Sequence, residues 1–163
     1  KTYSIFIGEF YFSLALLWLL LILAGFLVIR SRVIELLKRV KEPILLAFST
    51  SSSEAAFPKT MDELQRFGCK DKIVSFVLPL GYSFNLDGSM MYMTFASLFI
   101  AQSYGMDLPL ATQISMLLVL MVTSKGIAGV PRASLVVIAG TLATFNIPEA
   151  GLALLLGIDP LLD

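Results

Sequence analysis

The stretch from Ser83 to Ser89 has the side chains best suited to binding a cation or a polar ligand. It reads Ser-Phe-Asn-Leu-Asp-Gly-Ser and lies between two strongly apolar runs, Ile73 to Leu80 and Met90 to Ala101. A charged side chain at membrane depth is costly, so it indicates a functional site by default. Gly88 after Asn-x-Asp favours backbone that leaves the helix and offers its carbonyl and amide groups to a ligand. The pattern predicts a broken transmembrane helix that holds an ion, with an Asx-Gly turn between two short helices as the alternative.

The composition of the chain indicates a membrane protein. Hydrophobic residues make up 57% of its 163 residues, against roughly 45 to 50% in soluble domains, and the mean hydropathy is positive. Twelve basic residues balance twelve acidic ones and no nucleic-acid-binding motif is present, which argues against a nucleic acid partner. The absence of histidine and the single cysteine, Cys69, remove most zinc and haem options and any internal disulfide. Because Lys1 is not preceded by methionine and Asp163 ends an apolar run abruptly, we expect a piece of a longer protein.

The element that precedes the motif in the chain is one clear membrane-spanning helix. Phe10 to Ile29 carries no charge and has about the 20 residues that a helix needs to cross the hydrocarbon core. Nine of the twelve basic residues follow between positions 30 and 72, which places both ends of that region in the cytoplasm and the N-terminus outside. The sequence therefore predicts a spanning helix over residues 1–31.

Residues 32–68 contain two arms that are too short to span a bilayer. Ile44 to Phe48 leads into the hydroxyl-rich run from Ser49 to Ser53, and Ala55 to Phe67 leads away from it. Two short arms that start and finish on one side and meet at a polar tip predict a re-entrant hairpin that lines a polar cavity. The alternative is a cytoplasmic amphipathic helix-turn-helix in which Ser53 is the N-cap of the second helix.

A second pair of short apolar arms lies within residues 106–147. Leu110 to Val122 and Leu135 to Phe145 are each nearer 13 than 20 residues long, and the segment between them is rich in glycine. We predict a second re-entrant hairpin, opening from outside, with an irregular tip. The alternative is an ordinary cytoplasmic loop, marked by Lys125 and Arg132, between two short spanning helices.

Two further segments complete the predicted fold. Residues 69–105 cross outward as the broken helix, and residues 148–163 re-enter the membrane as the start of a last helix that carries Asp159. Asp163 comes one turn later on the same face. A hairpin followed by a helix with an intramembrane aspartate thus occurs twice, as in secondary transporters built from inverted repeats. The predicted fold class is an all-α membrane protein with spanning helices, two re-entrant helical hairpins and a broken helix around a midplane site.

Four motifs in the chain, in this order and spacing, resemble those of the dicarboxylate/amino acid:cation symporters, the glutamate transporter family. The resemblance covers nearly the whole chain. It implies that the five segments are the sixth helix, hairpin 1, the broken seventh helix, hairpin 2 and the start of the eighth helix of one transport domain. That domain would move like an elevator against a trimerising scaffold that lies mostly outside this sequence. The motifs are Thr50-Ser51-Ser52-Ser53-Glu54, Asn85-Leu86-Asp87-Gly88-Ser89, Ser124-Lys125-Gly126-Ile127-Ala128-Gly129-Val130-Pro131 and Gly157-Ile158-Asp159.

The resemblance implies a transport function rather than an enzyme. We expect secondary active symport of an acidic amino acid, glutamate or aspartate, or of a C4-dicarboxylate, coupled to sodium or protons and without an organic cofactor. The full-length protein would be a multi-pass homotrimer in the lipid bilayer of the plasma membrane, the bacterial inner membrane. One alternative is an intramembrane aspartyl protease with a dyad of Asp87 and either Asp159 or Asp163, although its Tyr-Asp and Gly-x-Gly-Asp motifs are absent. Another is a fragment that is inert without the rest of the protein.

The resemblance also implies which residues contact a small anionic substrate. We expect a side-chain contact at the tip of hairpin 1 and a contact to the substrate's side-chain carboxylate. We also expect a backbone contact from hairpin 2 and a charge-assisted bond to the substrate ammonium. Arg132 stands where a glycine is common, and we hypothesise that it adds to anion attraction; a lid arginine that faces lipid headgroups is the alternative. The predicted substrate residues are Ser52, Ser53, Ser89, Val130, Arg132 and Asp163.

Three cation sites are implied in the same way. One matches the Gly81 carbonyl with Asn85, and another matches Asn85 with Asp87. Oxygen ligands of this kind suit a hard cation such as sodium. Lys125 could instead replace a sodium ion electrostatically, which suggests proton coupling. The third site matches the backbone of Ser83, Ser124, Lys125 and Ile127.

Overall fold

The computed structural model describes residues 2–126 and 133–162, and the regular secondary structure in this part of the chain is all helical, with no strand. The all-α class predicted from the sequence is therefore confirmed. Two short 3-10 segments, Ser124–Gly126 and Glu149–Leu154, follow the sixth and seventh α-helices. The α-helices are α1 (Thr2–Ile29), α2 (Arg32–Thr50), α3 (Ser53–Phe67), α4 (Asp71–Phe84), α5 (Asp87–Ser103), α6 (Leu110–Thr123), α7 (Ser134–Thr144) and α8 (Asp159–Leu162).

The first helix, α1, is the one helix among the described residues that is long and apolar enough to cross a membrane by length and composition. Large apolar side chains such as Phe12, Leu19 and Leu27 are exposed along it. A helix that exposes apolar side chains on all sides is typical of a membrane span, since lipid tails then cover them.

The chain forms two compact units. The C-terminal unit comprises Lys1–Phe10 and Leu86–Asp163, and the hairpin unit comprises Tyr11–Asn85. The first helix contributes its N-terminal turns to the C-terminal unit and its remainder to the hairpin unit.

In the hairpin unit, α2 and α3 form a helical hairpin with a two-residue turn. Ser51 takes the left-handed conformation, with φ of 48°, and Ser52 is extended, with φ of −150°. The helix α3 begins at Ser53 itself, so the alternative that made Ser53 the N-cap is wrong in that detail, and Ser52 holds the cap position. Polar and aromatic links join the two arms in antiparallel order: Arg32 to Phe67, Arg39 to Glu63 and Glu42 to Lys59.

In the C-terminal unit, the central element is α5. Seven of its residues are buried, and they include Tyr92, Met93 and Ile100. Phe6 and Phe10 on the first turns of α1 supply aromatic contacts to this helix: Phe6 stacks on Phe99 at a centroid distance of 4.4 Å. Aromatic pairs of this kind contribute beyond the area that they bury, so they fix α1 against α5 within the unit.

The segment predicted as the start of a last helix has a mixed structure. It opens with the 3-10 segment Glu149–Leu154, continues through turns, and reaches α-helix only at Asp159. Gly151 and Gly157 lower helix propensity in this segment, whereas Pro160 is tolerated because it lies in the first turn of α8. Asp159 therefore lies at the beginning of α8 rather than within a long helix.

Candidate functional site

The helix that carries the central motif is interrupted at Asn85 and Leu86. The last backbone hydrogen bond of α4 joins Asn85 N to Gly81 O at 2.8 Å. The first backbone hydrogen bond of α5 joins Met90 N to Leu86 O at 2.9 Å. Asn85 and Leu86 have non-helical backbone angles between these bonds, with ψ of 66° and 55°. Because the last carbonyl groups of a helix have no partners within it, such a break brings backbone oxygens to a position where a ligand could use them.

The residues predicted to bind cations near this break differ in exposure. Gly81 and Ser83 are half-buried on the last turn of α4, in the hairpin unit, and Asn85 after them is exposed. Asp87 is also exposed and is the first residue of α5, in the C-terminal unit. The helix dipole stabilises a carboxylate at a helix N-terminus, which favours Asp87 as the first residue of α5.

The residues predicted for the third cation site lie at the end of α6. Ser124 is buried, and its hydroxyl donates to the carbonyl of Met121 at 3.1 Å. Lys125 is exposed in the 3-10 segment that follows. Four of the predicted site residues lie outside the described part of the chain: Ile127, Val130, Arg132 and Asp163.

The tip of the α2–α3 hairpin uses only some of its hydroxyl groups internally. Ser49 and Thr50 donate to the carbonyl of Leu46 at 3.0 and 2.8 Å. The hydroxyls of Ser52 and Ser53 make no hydrogen bond within residues 2–126 and 133–162. These two predicted substrate residues therefore keep a donor and acceptor group for a ligand.

Ser89 on the first turn of α5 also keeps its hydroxyl group for a ligand. Its side chain is half-buried, and its hydroxyl forms no hydrogen bond to any described residue. Thr94, one turn and a half further along, donates to the carbonyl of Met90 at 2.8 Å, as helical hydroxyls commonly do. Ser89 is thus placed to use its hydroxyl outside the helix.

A contact that sequence reasoning missed joins α5 to α8 inside the C-terminal unit. The hydroxyl of Tyr92 donates to Oδ1 of Asp159 at 2.8 Å, and both residues have no exposed surface. The sequence singled out Asp159 as an intramembrane carboxyl group, and a buried carboxyl group needs a hydrogen-bond donor. Tyr92 is the one tyrosine between Asn85 and Ser103, and this was the signal in the sequence that could have identified the donor to Asp159.

Known proteins place the chain in a family. Residues 1–163 match the sequence profile of the family described as the sodium:dicarboxylate symporter family. The chain belongs to this family. The resemblance stated from its four motifs is therefore confirmed, and with it the predicted membrane protein class.

Three curated relatives illustrate the similarity. The chain is 56% identical over 131 residues to the proton/sodium-glutamate symport protein of Geobacillus stearothermophilus, a match that covers 80% of the chain and 31% of the relative. It is 49% identical over 128 residues to the proton/glutamate-aspartate symporter of Escherichia coli K12, covering 78% and 29%. It is 47% identical over 160 residues to the C4-dicarboxylate transport protein of Brucella anthropi, covering 96% and 35%. The chain thus spans about a third of the length of these relatives.

Membership of the symporter family decides between the functional classes considered from the sequence. The family and these relatives are named as transporters and not as enzymes. The prediction that the chain is not an enzyme is confirmed, and the aspartyl protease alternative is set aside.

Proposed function

We propose that the full-length protein that contains this chain is a secondary active symporter of an acidic amino acid or a C4-dicarboxylate. The observation that carries this proposal is the family match over residues 1–163. The relatives are named for proton or sodium coupling and for glutamate, aspartate or C4-dicarboxylate transport, so a small dianion and one of these two cations are the proposed cargo.

The proposed mechanism involves no covalent chemistry. The two hairpin tips close over the bound dianion, and cation binding around Asn85 and Asp87 favours the closed state. Cation and substrate each raise the affinity for the other by the same factor, because the coupling between two binding events is reciprocal. A downhill cation gradient can therefore drive uphill movement of the substrate.

The proposed substrate contacts combine hydroxyl groups with charges. Ser52 and Ser53 offer hydroxyls at the hairpin tip, and Ser89 offers one on α5, all without a hydrogen bond to described residues. Hydroxyl donors can bind the carboxylate groups of the substrate. From the sequence alone, we add a backbone contact at Val130, an ammonium contact at Asp163 for amino acid substrates, and Arg132 as a further attraction for the anion.

The proposed cation contacts are oxygen atoms around the helix break and after α6. The Gly81 carbonyl with the Asn85 side chain forms one site, and Asn85 with Asp87 forms another. The non-helical backbone at Asn85 and Leu86 supports this assignment, because broken helices provide carbonyl oxygens for cations. The third site draws on the backbone of Ser83, Ser124, Lys125 and Ile127.

Lys125 provides a way to choose between the two coupling ions. A lysine ammonium beside the third site would supply the positive charge that a bound sodium ion would otherwise supply there. This favours coupling to protons with fewer sodium ions. Changing Lys125 to isoleucine removes this charge and is expected to increase the sodium dependence of uptake. Uptake by the unchanged protein that depends fully on sodium and ignores a pH gradient would refute the role of Lys125.

The proposed architecture places these contacts at the bilayer midplane. Residues 1–31 span the membrane, residues 32–68 and 106–147 form re-entrant hairpins, residues 69–105 form the broken helix, and residues 148–163 start the last helix. In the bacterial inner membrane, three copies of the multi-pass protein would each move a transport domain of this kind like an elevator.

The proposal is tested by uptake of labelled aspartate and labelled succinate into proteoliposomes that contain the full-length protein. A sodium gradient and a pH gradient are imposed in separate experiments. Uptake of either substrate that requires one of the gradients supports the proposal, and the effective gradient names the coupling ion. Absence of uptake of both substrates, by protein whose folding is verified by size-exclusion chromatography, would argue against it.

A further inference from the structure

The acidic side chains of α2 are both paired with cations. Glu35 and Glu42 are the two acidic residues of this helix. Glu35 forms an ion pair with Arg39 at 3.2 Å, and Glu42 forms one with Lys59 on α3. Each carboxylate of α2 thus already has a cationic partner.

Three other basic side chains at the beginning of the hairpin have no such partner. Lys38 and Lys41 on α2 are exposed, and so is Arg30 between α1 and α2. Their side chains form no ion pair or hydrogen bond to any residue within 2–126 and 133–162. These positive charges therefore lack a counter-charge in the described part of the chain, and they attract an anionic partner.

The two lysines share one face of α2 with exposed apolar side chains. Ile34, Lys38, Lys41, Leu45 and Phe48 follow one another at intervals of three or four positions, which places them on the same side of the helix. We call these five residues the outer face of α2. The three apolar side chains are 55, 56 and 62% exposed in chain order. Lysines among exposed apolar side chains suit a lipid surface, because the lysine stem covers apolar groups while the ammonium reaches a phosphate.

The depth of this face in the bilayer follows from its connection to α1. The apolar helix α1 ends at Ile29, so Arg30 lies at the surface of a membrane that α1 spans. Val33 on the first turn of α2 is buried, and a Cβ atom at Gly25 of α1 would lie 3.1 Å from its Cγ2 atom. This contact holds the beginning of α2 against the end of α1. The outer face therefore begins at the depth of the lipid headgroups.

We propose that the outer face of α2 binds an anionic phospholipid. Lys38 and Lys41 bind the phosphate of the headgroup by charge-assisted hydrogen bonds, and the three apolar side chains contact the acyl chains. A lipid is the occupant because the charges of this face are all positive and because the last turns of α1 beside it also expose large apolar side chains. This binding surface is separate from the proposed substrate and cation contacts, and it does not depend on symport.

The test measures lipid binding beside the two lysines in the full-length protein. Native cysteines are replaced by serine, Leu45→Cys is labelled with a dansyl group, and the protein is reconstituted into vesicles. Bromine atoms on lipid acyl chains quench a fluorophore that they contact. Quenching by brominated phosphatidylglycerol and by brominated phosphatidylcholine therefore gives the ratio of their binding constants at the outer face. We expect phosphatidylglycerol to bind about fivefold more strongly, the effect of one favourable charge near an anionic headgroup. In Lys38→Gln/Lys41→Gln, the ratio should fall towards one.

Two control variants separate the effect of charge from that of folding. Lys38→Arg/Lys41→Arg keeps both charges and should keep the ratio. Glu42→Gln/Lys59→Gln removes an ion pair between the hairpin arms without changing the net charge, and it should also keep the ratio. High ionic strength should lower the ratio in the protein that has both lysines, because salt screens exposed charges. Thermal unfolding of each purified variant reports its stability separately.

Several results would overturn the lipid assignment. These are a ratio close to one in the protein with both lysines, an unchanged ratio in Lys38→Gln/Lys41→Gln, or little quenching by either brominated lipid. Little quenching would mean that another segment of the full-length protein covers the outer face. If the glutamine variant does not fold, the salt dependence decides, and a ratio that ignores salt contradicts the proposal. Each of these results leaves the symport proposal intact, because the measurement uses neither substrate nor a cation gradient, and absence of transport would likewise leave the lipid assignment intact.

Discussion

The α2–α3 hairpin and the core around α5 are held together by different kinds of contact. The hairpin arms are joined by charged groups near the surface: in the pair of Lys59 and Glu42, the side chains are 43% and 70% exposed. The contacts of α5 include buried aromatic and aliphatic side chains and the polar bond from Tyr92 to Asp159. Exposed ion pairs contribute little to stability, whereas buried side chains contribute several times more. We therefore expect substitutions in the α5 core to cost more stability than substitutions in the exposed ion pairs between the hairpin arms.

The largest effect is expected from shortening an aromatic side chain in the α5 core. Phe10 is 2% exposed and packs edge-on against Tyr92 and Phe95. Changing Phe10 to alanine leaves a cavity and should lower the free energy of unfolding by about 3 to 5 kcal/mol. Chemical denaturation in detergent measures this loss.

The control for this prediction is Phe12→Ala on the same helix. Phe12 is 67% exposed, so its change should stay within about 0.5 kcal/mol. Equal losses at Phe10 and Phe12 would contradict the distinction between a buried core and a surface that lipid or detergent covers.

A smaller effect is expected where the 3-10 segment packs against α5. A Cβ atom at Gly151 would collide with the side chain of Ile100, which is fully buried, and would lie 3.1 Å from the ring of Tyr104. Changing Gly151 to alanine should therefore cost about 1 to 3 kcal/mol of unfolding free energy. Gly157→Ala is the matched control, since a Cβ there would meet no atom of the described residues within 4 Å beyond its own chain neighbours. A Gly151 variant as stable as the Gly157 variant would show that the packing of this segment is looser than described.

The smallest effect is expected in the α2–α3 hairpin and should depend on pH. A hydrogen bond and the positive charge of Lys59 lower the pKa of Glu42 below its usual 4.5. A lowered carboxyl pKa stabilises the folded state above pH 4.5, and this contribution is lost as the pH falls through the pKa of the folded state. Stability of the wild type and of Glu42→Gln should differ slightly at pH 7, and the difference should shrink as the pH falls below 4.5 through the lowered pKa of Glu42.

Salt provides a second check on the Glu42 prediction. The difference between the wild type and Glu42→Gln should shrink at high ionic strength, because exposed charges are screened. Glu54→Gln removes a carboxylate that has no ion pair within the described residues, and its effect on stability should change less with salt than that of Glu42→Gln. A pH-independent difference at Glu42 would mean that its charge is not what links the hairpin arms.

The sequence predicted the features that follow from local composition. The uncharged run from Phe10 to Ile29 identified α1, and the all-α class was confirmed. The motif at Asn85 also marks the place where helix gives way to irregular backbone, because the asparagine side chain can hydrogen-bond the nearby backbone and glycine has a conformationally free backbone. Short polar motifs in a fixed order were sufficient to identify the family.

The features that the sequence did not predict depend on contacts between distant residues. The bond from Tyr92 to Asp159 forms only after α5 and α8 have packed, so no local pattern announces it. The 3-10 segment from Glu149 to Leu154 packs closely against α5, where Gly151 lies next to Ile100, and this is also a tertiary contact. Periodicity in an apolar run cannot distinguish such a segment from the beginning of a helix.

The most direct test of the central claim, cation-coupled transport, is accumulation of substrate against its own gradient. Proteoliposomes with the full-length protein are preloaded with unlabelled substrate at the external concentration, and a sodium or proton gradient is then imposed. Symport predicts that the internal concentration rises above the external one and falls back when an ionophore collapses the gradient. The Asp87→Asn variant should accumulate less, because it loses a proposed cation ligand. An internal concentration that never exceeds the external one under either gradient would contradict the proposed symport.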